Sequence, residues 1–159
     1  MPSQARTIQA RLLELGIDLP AAVAPIANYV PFVRTGSLLI VSGQLPLDNG
    51  KLPDRFKGKL GKDVFNEAGQ QAARLSAINV LAQAQVALGD LERVRRVVRL
   101  GGFINATPGF TALAAVMNGA SDLMVQVFGD HGRHARTTVG VAELPLDASV
   151  EVEAMFEFE

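Results

Sequence analysis

The pattern of apolar and polar positions predicts that helices alternate with strands along the chain. Ile8, Leu12 and Leu15 recur at helical spacing and Gly16 follows them, which predicts a short first helix. Two strands are then expected over 29–33 and 38–42, with a hairpin turn at 35–37. Because residues 38–41 are all apolar, we expect the second strand to be buried on both faces.

A long helix is the strongest feature of the middle of the chain. Residues 47–62 carry glycine, proline and lysine at short intervals, which is typical of a loop. Asp63 suits the cap of a helix over 64–88, and Gly89 suits its end. One face of this helix is apolar and is expected to be buried; its residues are Leu75, Ile78, Ala82 and Val86.

The second half of the chain predicts three strands around a further helix. Residues 90–104 fit a helix or a strand, and the β-branched pair Val97-Val98 favours a strand from about position 94. Thr107-Pro108 suits a short helical turn, and a second main helix is expected over 120–128. Strands follow at 137–141 and 149–159. This order predicts an α+β fold with one sheet and two main helices on one face.

Composition narrows the classes of function. The 159 residues carry a formal net charge of -1, which gives no general electrostatic reason to bind nucleic acid or an anionic membrane. The absence of cysteine excludes disulfides, thiolate metal sites and a catalytic thiol. No apolar run is long enough for a membrane helix, and the first ten residues lack the apolar core of a signal peptide, so we expect a soluble cytoplasmic protein.

Two charged residues near the C-terminus are candidates for chemistry. Arg136 begins a predicted strand and could grip a carboxylate with two parallel hydrogen bonds, although arginines at strand ends are more often simply exposed. Glu151 could orient or deprotonate a water, but it also belongs to an acidic row that needs basic residues opposite. The candidate basic partners of that row are Arg93, Arg95, Arg96 and Arg99.

Other site chemistries find little support in the sequence. His131 and His134 are its two histidines, and as a metal site they would need a third ligand such as Asp130. The sequence contains no Gly-x-Ser-x-Gly nucleophile elbow and no Gly-x-x-x-x-Gly-Lys phosphate loop. We therefore expect neither a metal site nor a nucleophilic triad.

Several motifs in a fixed order resemble the Rid (YjgF-like) family, over about residues 23–157. Upstream, Ser42-Gly43-Gln44-Leu45-Pro46 follows Tyr29 at the family's distance, and residues 71–89 resemble its long helix. Asn118 resembles the asparagine that begins its second helix. The C-terminal motifs are His134-Ala135-Arg136-Thr137-Thr138-Val139, Val141-Ala142-Glu143-Leu144-Pro145 and Val150-Glu151-Val152-Glu153-Ala154.

The resemblance implies a chorismate-mutase-like α+β fold and a homotrimer with ligand clefts between its subunits. It implies hydrolysis of reactive 2-enamino and 2-imino acids, such as 2-aminoacrylate, to 2-oxo acids and ammonia. These compounds leave pyridoxal-phosphate enzymes, so a functional link to such enzymes is expected. The family chemistry needs no bound cofactor.

The resemblance also assigns residues. Arg136 would bind the substrate carboxylate and Glu151 would position the attacking water. The pocket would be shaped by Tyr29, Ser42, Gly43, Asn118 and backbone groups near Thr138.

The chain also departs from the family pattern. Thr138 stands where the family frequently has cysteine, and His134 stands where it has proline. The stretch from Asn118 to Arg136 is about one residue longer, and the loop over 46–63 is also longer. We expect residues 1–22 to form an additional N-terminal helix and extended segment of a single domain over 1–159.

The predicted strands limit how Arg136 and Glu151 could act together. In a simple hairpin of the last two strands, Glu151 would pair near Ala142, and Arg136 would lie on the order of 20 Å away. A shared pocket would then need a subunit boundary or a break in register. The leading hypothesis is a trimeric imine and enamine deaminase. The alternatives are a non-catalytic binder of small carboxylates and, less favoured by the charge balance, a ribonuclease.

Overall fold

Five strands form one mixed sheet in a computed structural model that describes residues 6–25 and 27–159. The strands are β1 (Phe32–Thr35), β2 (Leu38–Gln44), β3 (Val94–Asn105), β4 (Ala135–Val141) and β5 (Val150–Phe158). Their order in the sheet is β1-β2-β5-β3-β4, and β3 runs parallel to β4 while the other neighbours are antiparallel. The strands that end the chain are therefore not neighbours, because β3 lies between β4 and β5.

In the described part of the chain, three α-helices accompany the sheet: α1 (Ile8–Glu14), α2 (Asn66–Leu88) and α3 (Leu113–Phe128). The two long helices, α2 and α3, pack on one face of the sheet and on each other, and α1 packs against α3. Short 3₁₀ turns occur at Asp54–Phe56, Leu91–Arg93, Gly129–Gly132 and Pro145–Asp147. The predicted α+β architecture, with one sheet and two main helices on one face, is confirmed.

In the part of the chain that the structure describes, no helix combines the length and the apolar character needed to cross a bilayer.

The sheet has one covered face and one open face. On β5, every second residue from Val150 to Phe158 is buried under the helices, and the glutamates between them face the open side. This alternation confirms the sequence prediction for the last strand. The prediction that β2 is buried on both faces is wrong, because helices cover only one face. Leu39 and Val41 are buried, while Ile40 is 39% exposed on the open face.

Helices α2 and α3 cross at very close range. Gly119 of α3 lies against the backbone of Gln70 in α2, where an added Cβ would come within 2.0 Å of the Gln70 carbonyl oxygen. The buried surface of α2 is broad and rich in alanine, and the predicted apolar face only partly coincides with it. Val86, which belonged to that face, is 62% exposed.

Several predicted boundaries are wrong for local reasons. Residues 27–29 form bends and β1 begins at Phe32, after Pro31, which has no N–H to give to a strand ladder. Asp63 does not cap α2, because its carboxylate accepts the backbone N–H of Lys59 and the helix begins at Asn66. At 107–108 there is a turn rather than a helix start: the Thr107 hydroxyl donates to the Leu60 carbonyl.

The start of α3 is the boundary that matters most for function. The helix begins at Leu113, seven residues before the predicted position 120. Asn118 therefore lies inside α3 rather than at its start.

Candidate functional site

Arg136 and Glu151 lie on opposite faces of the sheet. Arg136 is directly opposite Leu100 of β3, which is opposite Ala154 of β5, and both of these residues lie under the helices. Glu151 is opposite Phe103 on the open face. Two strand spacings and three residues separate the two Cα atoms, so they are about 14 Å apart. The hairpin considered from the sequence does not occur, and a single chain does not bring the two side chains together.

The Arg136 side chain is held by α3. Its Nη1 donates to Asn118 Oδ1 at 2.9 Å and to Ser121 Oγ at 3.1 Å. Asn118 and Ser121 are three residues apart, so they lie on the same face of the helix. Within the described residues, Nε and Nη2 have no hydrogen-bond partner and the guanidinium has no ion-pair partner. The Nε/Nη2 edge is therefore available for a carboxylate.

His134 extends this network by one side chain. Its Nδ1 lies 2.6 Å from the Gly132 carbonyl oxygen, and its Nε2 lies 2.8 Å from Ser121 Oγ. A carbonyl can only accept, so Nδ1 donates and Nε2 accepts the Ser121 hydroxyl proton. Burial lowers the pKa of His134, and the Arg136 charge lowers it further against the opposing effect of the Gly132 hydrogen bond. The imidazole is therefore neutral at pH 7.

Thr138 completes this side of the site. It lies two residues beyond Arg136 on the same face of β4, opposite Gly102. Its Oγ1 is buried and has no hydrogen-bond partner among the described residues. Gly102 leaves space that the Met117 side chain fills, because an added Cβ would lie 2.5 Å from the methionine sulfur. We call Asn118, Ser121, His134, Arg136 and Thr138 the arginine group.

Glu151 lies in a different environment, over a glycine of β2. An added Cβ at Gly43 would come within 2.2 Å of Glu151 Oε1, so this carboxylate needs a glycine there. The close approach occurs at a bulge of β2, where the pairing register with β5 shifts between Val41 and Gln44. Burial raises the pKa of Glu151, and the neighbouring charge of Glu153 raises it further.

Ser42 and Tyr29 lie at the same end of β2. The Ser42 hydroxyl donates to the Val30 carbonyl at 2.9 Å, and its backbone N–H donates to the Pro31 carbonyl. Tyr29, just before this segment, is 54% exposed. We call Tyr29, Ser42, Gly43 and Glu151 the glutamate group. The residues singled out in the sequence thus divide into two groups at different strands and faces.

The arginines of β3 partly fulfil their predicted structural role. Arg99 pairs with Glu153 at 3.6 Å, and Arg95 pairs with Glu159. Glu151 makes no ion pair among the described residues. The acidic row is therefore balanced at two positions and not at the candidate site residue.

The two histidines serve different contacts. His131 Nδ1 bonds to the Arg95 carbonyl, and His134 belongs to the arginine group. In the described ranges, no cluster of three or more histidine, aspartate or glutamate side chains is placed to hold a metal ion.

Ser121 was not identified from the sequence. The signal was its spacing of three residues from Asn118, which indicates a shared helical face. The spacing carries this meaning only if both residues lie in one helix. The predicted helix began at 120 and therefore left Asn118 outside it.

Comparison with known proteins places the chain in a family. The family model described as "YjgF/chorismate_mutase-like, putative endoribonuclease" matches residues 9–158. This chain belongs to the YjgF-like (Rid) family. The resemblance noted in the sequence is thereby confirmed.

Relatives within the family differ in their distance from this chain. Protein TCP17 of Trypanosoma cruzi is 52% identical over 151 residues, covering 94% of this chain and 93% of TCP17. The 2-iminobutanoate/2-iminopropanoate deaminase of Salmonella typhimurium is 30% identical over 139 residues, covering 87% and 91%. The crystal structure of Atu1372, a protein of unknown function from Agrobacterium tumefaciens, has a TM-score of 0.89 at 50% identity, covering 96% and 92%.

Proposed function

We propose that this protein hydrolyses small 2-imino and 2-enamino acids to 2-oxo acids and ammonia. The observation that carries the proposal is the hydrogen bonding of the Arg136 guanidinium. Asn118 and Ser121 hold its Nη1, while its Nε/Nη2 edge has no partner in the described part of the chain. A guanidinium fixed at one nitrogen and free along one edge is suited to bind a carboxylate in a bidentate manner. The relatives named as 2-iminobutanoate/2-iminopropanoate deaminases give this carboxylate its chemical context.

The reaction requires little of the protein. Imine hydrolysis is intrinsically easy, so an anchored carboxylate and a positioned water supply most of what is needed. Glu151 is suited to position that water, because its carboxylate oxygens accept hydrogen bonds and burial raises its pKa, which makes it a better proton acceptor than an exposed glutamate. The unpartnered Thr138 Oγ1 beside Arg136 supports a bound ligand or water on that side. The chemistry needs no bound cofactor.

The separation of the two groups favours a cyclic assembly. The arginine group lies at the β4 edge of the sheet, and the glutamate group lies toward the β1 edge. A head-to-tail contact between copies would join unlike surfaces, and such contacts form a ring when the rotation between copies closes. We therefore propose a homotrimer in which Arg136 of one subunit faces Glu151 of the next. Val33, Ile40 and Val139, which are exposed on the open face, supply apolar surface for such an assembly.

The deciding experiment couples the protein to a dehydratase that forms 2-iminopropionate and follows pyruvate release. Wild-type protein should accelerate release over buffer. Arg136→Ala should lower kcat/KM by about 100-fold, since a charge-assisted bidentate contact is lost. Arg133→Ala is the matched control, because Arg133 is an exposed arginine of the same segment that pairs with Asp130. No acceleration by wild type, or full activity in Arg136→Ala, contradicts the proposal.

A non-catalytic carboxylate binder is the second candidate. The observation favouring it is that the relatives at 50–52% identity carry no activity in their names, while the named deaminases are about 30% identical. Such a binder keeps Arg136 and makes Glu151 dispensable. Calorimetry with pyruvate separates the two functions: binding that Glu151→Gln leaves unchanged, without turnover of the imine, identifies the binder.

A ribonuclease activity is less favoured, because the net charge of -1 supplies no phosphate-binding excess. We further propose a cytoplasmic location and a functional link to pyridoxal-phosphate enzymes that release the substrate.

A further inference from the structure

We propose that Ser121 and His134 form a proton relay at the carboxylate-binding arginine, with the Ser121 hydroxyl as a catalytic residue and His134 as the base behind it. The inference rests on the proposed deaminase function and deepens it. Ser121 Oγ is bonded on one side to Arg136 and on the other to His134. Within the arginine group, the Ser121 hydroxyl therefore links the proposed substrate anchor, Arg136, to a base, His134.

The hydrogen-bond directions indicate which way a proton passes between Ser121 and His134. The Gly132 carbonyl fixes the His134 proton on Nδ1, which leaves Nε2 as the acceptor of the Ser121 proton at 2.8 Å. Arg136 donates to the same serine oxygen and stabilises negative charge that develops there as the proton leaves. Both contacts favour transfer of the proton from serine to histidine.

The environment of His134 keeps its imidazole ring unprotonated. Burial and the Arg136 charge lower its pKa, so the ring is unprotonated and able to accept at neutral pH. Arg136 from β4 is the charged group that acts on the ring, while α3 presents the Ser121 hydroxyl and the preceding turn presents the Gly132 carbonyl. Protonation of the ring would place a second cation beside the guanidinium and would remove the acceptor for Ser121.

The proton path balances over the whole reaction. Water adds to C2 of the protonated imine, the C=N electron pair moves to nitrogen, and the water proton passes to Ser121 as the serine proton passes to His134. The resulting imidazolium returns its proton through Ser121 to the amino group. The C–N bond then breaks, the hydroxyl oxygen forms the carbonyl, and its proton leaves with ammonia as ammonium. No other reactant is consumed.

The test measures kcat and KM for 2-iminopropionate between pH 5 and 8 in five proteins: wild type, Ser121→Ala, Ser121→Thr, His134→Gln and His131→Gln. Loss of a positioned proton relay should lower kcat about 100-fold in Ser121→Ala and His134→Gln, with KM within about threefold. Ser121→Thr keeps the hydroxyl and should retain at least about a fifth of the wild-type kcat. His131→Gln is the matched control, because His131 bonds to the Arg95 carbonyl outside the arginine group.

The pH profile separates a relay from mere support of Arg136. Wild-type kcat should fall on the acid side with a pKa below the ordinary histidine value of about 6.5, and this limb should be absent from His134→Gln. If Ser121→Ala and His134→Gln keep the wild-type kcat and the wild-type pH profile, the relay is wrong and the proposed function still stands. A change in KM alone also overturns it.

A second measurement decides the relay if the wild type does not hydrolyse the imine and the proposed function fails. Phenylmethylsulfonyl fluoride should attach its sulfonyl group to the activated Ser121 oxygen with loss of fluoride, and intact mass with peptide mapping reports the adduct. The adduct should be absent from Ser121→Ala and at least about tenfold slower to form in His134→Gln. Absence of labelling at Ser121 in the wild type overturns the activation of this hydroxyl.

Discussion

The arginine group and the glutamate group differ in how their charges are held. Arg136 receives two oriented acceptors from one helix, and its network continues through Ser121 to His134. The Glu151 carboxylate lies over Gly43, has Glu153 as an acidic neighbour, and makes no ion pair among the described residues. The first charge is stabilised within the chain, while the second is destabilised by its surroundings.

This difference supports our proposal that each group is half of a site. A carboxylate with a raised pKa is suited to exchange protons, and a cation with one free edge is suited to hold an anion. Neither arrangement completes an imine-hydrolysing site alone, and the sheet lies between them. A ring of identical subunits would join the β4 edge of one copy to the open face of the next, where Glu151 lies.

The strongest test of this comparison is complementation between two inactive chains. Arg136→Ala and Glu151→Gln homo-oligomers should each lose about 100-fold in activity, because every site lacks one half. Mixed oligomers assembled from equal amounts should regain about a quarter of wild-type activity, since one contact in four joins two intact halves. Co-refolding followed by the pyruvate assay measures the recovery. An inactive mixture whose co-assembly is shown by native mass spectrometry would contradict a site shared between subunits.

The Arg136 guanidinium can be neutralised without replacing the arginine. Asn118→Asp replaces an amide oxygen with a carboxylate oxygen 2.9 Å from Nη1, so the guanidinium would form an internal ion pair. We expect KM for the imine to rise at least about tenfold, because the substrate carboxylate meets a neutralised cation.

Gln126→Glu is the matched control for that change. Gln126 lies on α3 like Asn118, and its side-chain oxygen accepts from Arg74 of α2 at 3.0 Å. Steady-state kinetics should show this variant unchanged. An equal rise of KM in both variants would indicate a general effect of acidity on α3 rather than capture of the substrate anchor.

A substitution at Gly43 can displace the Glu151 carboxylate. Gly43→Ala would push a methyl group into the Glu151 carboxylate, which must move away because the contact would be 2.2 Å. We expect a loss of activity of about three- to tenfold, since the positioned water is disturbed rather than lost.

Gly140→Ala is the control for this substitution, because the nearest atoms to an added Cβ there are side-chain carbons at 3.7 Å. Its activity should be close to wild type. The glutamate group has no part in the reaction if Gly43→Ala is as active as Gly140→Ala.

The smallest expected effect is on the pH dependence of stability. The folded-state pKa of His134 is lowered, so the unfolded chain binds more protons near the ordinary value of 6.5 and stability rises with pH there. The pKa of Glu151 is raised, so the folded chain binds more protons above 4.5 and stability falls as pH rises through that window. The two groups therefore contribute opposite slopes.

Thermal unfolding of His134→Gln and Glu151→Gln from pH 4 to 8 measures these slopes. Each variant should differ from wild type by a change in melting temperature on the order of 1–2 °C across its own window, since both groups are partly exposed to solvent. Glu151→Gln should gain stability relative to wild type as pH rises. Slopes of the same sign in both variants would contradict the two assigned environments.

Much of the fold follows from local patterns. The alternation on β5, the strand from Val94 and the long helix ending at Gly89 are all visible in residues close in sequence. The boundaries that failed depended on the particular partner that a residue meets, in its own loop or on another element. Asp63 bonds within its own loop, and α3 continues through Asn118 and Gly119 because Gly119 fits against the α2 backbone.

The order of amino acids alone was enough to recognise the family and the α+β class and to single out Arg136 and Glu151. The folded chain was needed to see that β3 separates their strands, that they lie on opposite faces, and that Ser121 joins His134 to the arginine. The physical reason is that strand order and the meeting of a helix with a strand depend on contacts between residues far apart in the chain. Local periodicity records which face a residue takes on its own element, and it does not record what that face will meet.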